Sequence, residues 1–233
     1  PDDQLYFVSR GLVKPSSSTV IRGAGIDLRR FPPVPEPAGT PVVLVATRLL
    51  WDKGIGELVE AARIVKGRRI EVRVQLAGKT DPANPACIPE QIIQQWVQEG
   101  FIEWLGYRDD MPGLHAASHI ACLPSYREGL PLALIEGAAT GRPVVTTDVP
   151  GCREAAIHGE TGLLVPPRDP VALADALAAL ASDADLRRRM GQAGRRLVEE
   201  RFAIERVARE TFAVYERSEE RRVGKECRSW WAP

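Results

Sequence analysis

The sequence predicts an α/β fold, a parallel sheet with helices on both faces, and three observations predict it. From Pro41 onward, short apolar runs alternate with segments of helical periodicity. The first of these runs, residues 42–46, is apolar throughout, as expected of a strand buried on both faces. Apolar residues make up 44% of the chain and charged residues 27%, enough apolar content to build a core around such a sheet.

Taken in order, the elements begin poorly defined. A stretch to Val13 reads as a helix end, Pro15-Ser16-Ser17-Ser18 breaks it, and Thr19-Val20-Ile21 has strand character. Gly23-Ala24-Gly25 is a partial dinucleotide fingerprint, but no helix follows and Pro32 and Pro33 arrive soon after, so that reading fails. It reads instead as a glycine-bearing crossing between domains that lines a cleft. Five prolines from Pro32 to Pro41 exclude a helix or a central strand and mark residues 28–40 as an interdomain linker. Leu58, Ala62 and Val65 form a helical stripe within 53–66. Val72, Val74 and Leu76 alternate with polar residues, the spacing of a strand. A helix over 89–98 and short strands over 101–105 and 119–123 follow. A further helix over 131–140 stops at Gly141, with strands over 143–146 and 162–165 beyond it. Leu173, Leu177 and Leu180 mark an Ala-rich helix, and Arg/Glu-rich helical sequence runs to about residue 217.

Residues 41–216 are thus expected to form one domain, with 1–27 the remnant of another. Residues 217–233 lack periodicity and end in two Trp, and we expect a disordered, non-native tail there. The chain starts Pro-Asp-Asp without an initiator Met or a signal peptide, which suggests that it begins inside a longer protein.

Charge and cysteine usage narrow the function classes. Lys+Arg 31 balance Asp+Glu 31, which argues against a nucleic-acid binder. The neutral total hides an asymmetry: 217–233 carry five Lys/Arg and three Glu, so the rest is mildly acidic. No apolar run approaches the ~18 residues of a membrane span. The four cysteines contain no C-x-x-C pair, which fits a reducing cytosol better than a disulfide framework or a zinc site.

Ligands of parallel sheets bind beyond the carboxyl ends of the strands, and two segments fall there. In Ser125 to Glu136 a strand ends, a loop carries Glu128 and Gly129, and Pro131 suits the first position of a helix. The N–H groups of Gly129 and Leu130, with the positive end of the helix dipole, would suit a phosphate. Glu128 and Glu136 bracket that helix start, placed to take hydroxyls on either side of a phosphate. Spacing alone explains them equally well as a cap and a solvated helix residue. The second segment, Ala46 to Gly54, puts Arg48 and Lys53 after the first strand, a guanidinium and an ammonium for a diphosphate. A lysine at a helix start opposes the dipole, which disfavours it unless an anion visits.

Together these residues resemble the carboxyl-terminal half of the GT-B glycosyltransferases of family 4, as found in bacterial polysaccharide and capsule synthesis. The resemblance runs from about Thr19 to Tyr215. It rests on residues 46–54, Trp104-Leu105-Gly106, Leu123-Pro124-Ser125, the E-x7-E of Glu128 and Glu136, Gly141-Arg142-Pro143 and residues 159–165. Residues 51–54, 84–90, 108–112 and 149–154 are similar to a subgroup acting on undecaprenyl-diphosphate-linked sugars.

The resemblance implies a Rossmann-like domain that binds a nucleoside-diphosphate sugar, UDP-linked by the subgroup match. Arg48 and Lys53 would neutralise the diphosphate, and Glu128 would bind donor-sugar hydroxyls with Gly129 and Leu130 beside the phosphate. Glu136 would hold the ribose, and Tyr107 and Arg108 would lie near the base. Arg48, Lys53 and Glu128 would be the catalytic set. The implied reaction transfers a glycosyl unit with retention to a lipid-linked saccharide acceptor bound by a missing amino-terminal domain, so that this chain alone would be inactive. It implies no metal or other cofactor, no nucleic-acid partner, and a cytoplasmic location with at most peripheral membrane association. The alternative is a nucleotide-sugar-binding module or a GT-B-fold epimerase without transferase activity.

Other chemistry is disfavoured. Asp183-Ala184-Asp185 precedes three arginines and reads as a helix start, not a metal site. His115 and His119 lack the intervening Glu and helical context of a metalloprotease. His158 sits in a turn and is expected to be solvated. A cofactor-dependent phosphorylase would need a Schiff-base lysine, for which Lys53 and Lys79 are the candidates. A hydrolase using Glu128 and Glu136 is disfavoured because an acid/base pair flanks one bond from opposing faces.

Overall fold

The computed structural model describes residues 2–229, with side chains over 3–217. It divides into two units, which we take separately: Ile26–Glu200, and the residues up to Gly25 together with those from Arg201 onward.

The larger unit is a six-stranded parallel sheet of β1 (Val42–Ala46), β2 (Arg73–Ala77), β3 (Glu103–Gly106), β4 (Ile120–Leu123), β5 (Val144–Thr147) and β6 (Gly162–Val165). The strands lie in the order β3-β2-β1-β4-β5-β6, each within two residues of its sequence expectation. The chain therefore winds outward from β1 in one direction, then restarts at β4 in the other. That reversal between β1 and β4 is the switch point at which doubly wound sheets open a crevice. Val43, Leu44, Val45, Leu76, Ile120, Val144 and Val145 are at most 1% exposed, which is why the strand runs need no polar alternation.

Helices α2 (Ile55–Gly67), α3 (Glu90–Gln98), α4 (Met111–Ala116), α5 (Leu132–Ala139), α6 (Cys152–Ala155), α7 (Pro170–Ser182) and α8 (Ala184–Arg201) complete this unit. The stripe of α2 buries Leu58, Ala62 and Val65 and packs on α7. Helix α7 buries Leu173, Ala174, Leu177 and Leu180, and Arg68 reaches Asp175 at 2.6 Å. Asp183 accepts from the Leu186 N–H at 2.8 Å and Asp185 pairs with Arg188, so the D-x-D does start a helix.

Residues 28–40 are not a free linker. Proline removes backbone donors but leaves carbonyls, and arginines of the sheet layer fill them. Arg142, 2% exposed, donates to the carbonyls of Val34 and Pro35 at 3.2 Å and to those of His115 and Ala116 at 3.0 Å. Arg195 donates to the Phe31 carbonyl at 2.7 Å, and Arg187 forms a two-pronged pair with Glu36 at 2.8 and 2.9 Å. Phe31 is 4% exposed. The segment is thus a strap bound to the amino-terminal edge of the sheet, and Gly141-Arg142-Pro143 carries its main anchor.

The second unit contains α1 (Asp2–Ser9) and α9 (Ile204–Ser229). Thr19–Ile21 forms no strand, because a strand needs a partner and no strand of the sheet comes from this unit. Gly25 meets α9: a side chain there would press on the Ile204 backbone and on Val207. The expected boundary at 216 falls inside α9, which runs on to Ser229 through part of the stretch expected to be a disordered tail. Arg, Glu and Lys are strong helix formers, and extending an existing helix needs no new nucleus. Residues 230–233, with both Trp, lie outside the described residues. No helix of the described residues is long and apolar enough to cross a membrane.

Candidate functional site

The site grows from the loop after β1. Backbone pairing outlasts the strand: the Thr47 N–H donates to the Ala77 carbonyl at 3.0 Å and the Leu49 N–H to that of Lys79 at 3.2 Å. A single 3-10 turn, Trp51–Lys53, then ends at Gly54, whose φ of +70° lies in the left-handed region. A side chain at Gly54 would also overlap the Pro124 carbonyl, so glycine is what lets this turn lie against the β4–α5 loop.

The contact is fixed from both sides. The Tyr126 N–H and the Ser125 hydroxyl donate to the Asp52 carbonyl at 2.9 and 3.2 Å. The Tyr126 hydroxyl donates to Glu57 at 2.6 Å, and burial, then that carboxylate, push the phenol up to about 12. With the loops clamped, Lys53 Nζ lies 2.7 Å from Glu128 Oε1, the two side chains being 14% and 13% exposed. The anion that offsets a lysine beside the positive end of α2 is therefore supplied by the protein itself. Pro131 takes the N-cap position of α5, one residue before the helical position expected of it.

The carboxyl ends of β1, β2 and β3 open into a cleft of about 300 Å³, at the small end of the range for ligand sites. Arg48, Lys79, Tyr107, Arg108 and Glu136 line it, with Leu132 and Ala133 of α5 as one wall. Arg48 is 61% exposed and meets Asp81 at 3.5 Å, a long contact that leaves the guanidinium able to turn toward an anion. Tyr107 projects from the end of β3 under Lys79, whose Nζ is 5.6 Å from the ring centroid. Glu136 sits just over one turn into α5, with Oε2 3.6 Å from His115 Nε2.

Of the residues expected here, Arg48, Tyr107, Arg108 and Glu136 share this cleft. Lys53, on the Trp51–Lys53 turn, and its partner Glu128, with Gly129 and Leu130 in the loop that leads into α5, lie outside the cleft lining. Lys79, considered in the sequence only for Schiff-base chemistry, is the lining cation that sequence reasoning missed. Its signal was position, two residues past the end of β2. A larger cavity, about 670 Å³, lies between the strap and α8. Its Arg142, Arg187 and Arg195 are already bonded to carbonyls and carboxylates, so we place the site in the smaller cleft.

The other histidines are structural. His119 Nδ1 accepts from the Val42 N–H at 3.0 Å and Nε2 donates to the Pro37 carbonyl at 2.9 Å. His158, expected to be solvated, is exposed but also accepts the Leu164 N–H at 3.0 Å, covering a donor of edge strand β6. Cys122 and Cys152 are buried, and burial pushes both thiols above their ordinary range, which leaves them unreactive.

Residues 40–183 match the family described as Glycosyl transferases group 1. The chain belongs to this family. Among relatives of this group 1 chain is the N,N'-diacetylbacillosaminyl-diphospho-undecaprenol alpha-1,3-N-acetylgalactosaminyltransferase of Campylobacter jejuni. It is 30% identical over 188 residues, 75% of this chain and 48% of the relative. Sucrose-phosphate synthase from Thermosynechococcus elongatus is similar in structure, with a TM-score of 0.77 and 28% identity over 92% of this chain and 56% of that one. HepE of Anabaena, solved in complex with UDP, shares the fold with a TM-score of 0.78 and 21% identity over 91% of this chain and 61% of its own. The larger unit is thus the Rossmann-like parallel-sheet domain of a GT-B glycosyltransferase. The chain spans about half the length of the relatives it matches.

Proposed function

We propose that this chain is the donor-binding half of a retaining glycosyltransferase that uses a nucleoside-diphosphate sugar, UDP-linked, and a lipid-linked saccharide acceptor in bacterial polysaccharide synthesis. One observation carries the reading: Arg48, the adjacent pair Tyr107 and Arg108, and Glu136 arrive from three different segments at one cleft beyond the carboxyl ends of the strands. Arg48 and Lys79 supply fixed positive charge for the diphosphate, and Glu136 accepts from the ribose hydroxyls. Tyr107 and Arg108 offer flat faces to the base. The Lys53–Glu128 pair, with Gly129 and Leu130, borders the donor sugar: Glu128 accepts its hydroxyls while Lys53 adds charge toward the leaving phosphate.

In this reading the bond from the anomeric carbon to the diphosphate oxygen breaks with its electron pair going to the diphosphate. The acceptor oxygen bonds to the same face of that carbon, and its proton passes to the departing diphosphate. Catalysis is then electrostatic, with protein cations neutralising the charge that develops on the leaving group. No side-chain nucleophile and no metal is required. The names of the relatives support the donor and acceptor classes: HepE is solved with UDP, and the Campylobacter enzyme is named for a diphospho-undecaprenol-linked sugar. Acceptor binding then falls to the part of the full-length protein that this chain does not match. The donor half binds nucleotide without turnover, on the cytoplasmic side of the membrane and at most peripherally.

Calorimetry with UDP, GDP and their sugars tests this. UDP is expected to bind, and Arg48→Ala and Glu136→Ala each to abolish detectable heat. Unchanged affinity in either variant overturns the assignment of the cleft.

A further inference from the structure

Among the described residues, His115 is the one buried titratable side chain next to the cleft that the proposed function does not use. It is 1% exposed, on the short helix α4, and neither ring nitrogen has a hydrogen-bond partner among the described residues. A buried imidazole left unsatisfied costs about as much as a lost hydrogen bond, so its retention calls for a reason. Its position supplies one. The Phe31 ring lies edge-on to it, with centroids 6.4 Å apart, and the backbone of α5 lies on another side. A Cβ on Gly137 would come within 3.2 Å of His115 Nδ1 and would overlap Ala121, so the bare glycine makes room for the ring beneath α5. The ring is thereby directed at the residue before that glycine. Nε2 stands 3.6 Å from Glu136 Oε2, about half an ångström beyond hydrogen-bond length.

We propose that His115 is the positioning residue for Glu136, its Nε2–H closing onto Oε2 when the carboxylate engages the vicinal hydroxyls of a nucleotide ribose. This rests on the reading of Glu136 as the ribose ligand. Each carboxylate oxygen has lone pairs for two donors, so Oε2 can accept from the ring and from a hydroxyl together. Without the ring, Glu136 could turn toward solvent, from which its side chain is 22% exposed, and each binding event would have to fix it again. The inner wall of the cleft would then discriminate ribonucleotides through a residue that never touches them.

The test uses the full chain and two probes, UDP and 2',3'-dideoxy-UDP, titrated calorimetrically into the parent and into His115→Leu, His115→Gln and His115→Asn. Glutamine keeps a donor where Nε2 stood, whereas asparagine moves it to the Nδ1 side. Leu and Asn are expected to weaken UDP about tenfold while leaving the dideoxy analogue unchanged, and Gln to restore UDP. Equal losses for both probes, or no loss for UDP, would overturn the proposal. If Leu does not fold, the Gln/Asn contrast decides alone, and identical UDP affinities in that pair overturn the idea. Failure of the ribose reading itself looks different: the parent would bind both probes equally, and Glu136→Gln would not weaken UDP.

Discussion

Both ring nitrogens of His119 are engaged by backbone groups, one accepting from the start of β1 and the other donating to the strap at Pro37. That arrangement needs the neutral ring. Burial holds its pKa below the ordinary 6.5, against the pull of the Pro37 carbonyl and Glu36, with Arg187 and Arg142 adding to the depression. The unfolded chain therefore takes up the proton first, and the stability this provides is complete above about pH 6.5 and lost as pH falls through the folded value. Glu36, held below its ordinary 4.5 by Arg187, adds a second loss that begins nearer that value. We expect the urea midpoint to be flat from pH 8 to 7 and to fall from pH 6.5 to 5, and the fall to shrink in His119→Gln. Superimposable curves would contradict this role. Residues of this kind are where the sequence was least informative. Arg48 and Glu136 were legible because one follows a strand end and the other sits early in a helix with a clear apolar pattern, whereas Tyr107 and Arg108 were implied only by the family resemblance. The Lys53–Glu128 pair was not, because its members are 75 residues apart and nothing local links them. His115 and His119 looked alike in sequence, yet one is satisfied and the other is not.

Among the elements, the 3-10 turn at Trp51–Lys53 positions the paired loop, and Gly54 permits it. Gly54→Ala forces a Cβ into both a left-handed backbone and the Pro124 carbonyl. We expect a loss of about 1–3 kcal/mol in urea denaturation, with the β4–α5 loop displaced. A change within a few tenths would mean that the loop is not clamped there. The strands and the long helices could be read because a buried parallel strand is an uninterrupted apolar run and α2 carries a full stripe. The short helices α4 and α6 could not, since Met111–Ala116 contains Pro112 and Gly113 and Cys152–Ala155 is a single turn. Neither is long enough to show a period or to stand without tertiary packing. The strap was legible as proline-rich but not as bound, because the arginines that hold it lie more than 100 residues away.

At the scale of the whole molecule, the sheet, its covering helices and the cleft all lie within 26–200. A fragment of those residues is expected to unfold cooperatively and to bind UDP with the affinity of the full chain. A fragment that folds but binds UDP tenfold more weakly would show that the remaining residues contribute to the site. The strap adds a consequence in time. Its three arginine anchors reach back 108, 151 and 164 positions along the chain. During synthesis, at roughly 5–20 residues per second, the strap waits on the order of ten seconds before Arg187 and Arg195 are made. His119 and Arg142 can take the Pro37, Val34 and Pro35 carbonyls part-way through, but Glu36 and the Phe31 carbonyl are left to water until the end of that interval. The first part of the domain to be translated is thus among the last to be secured.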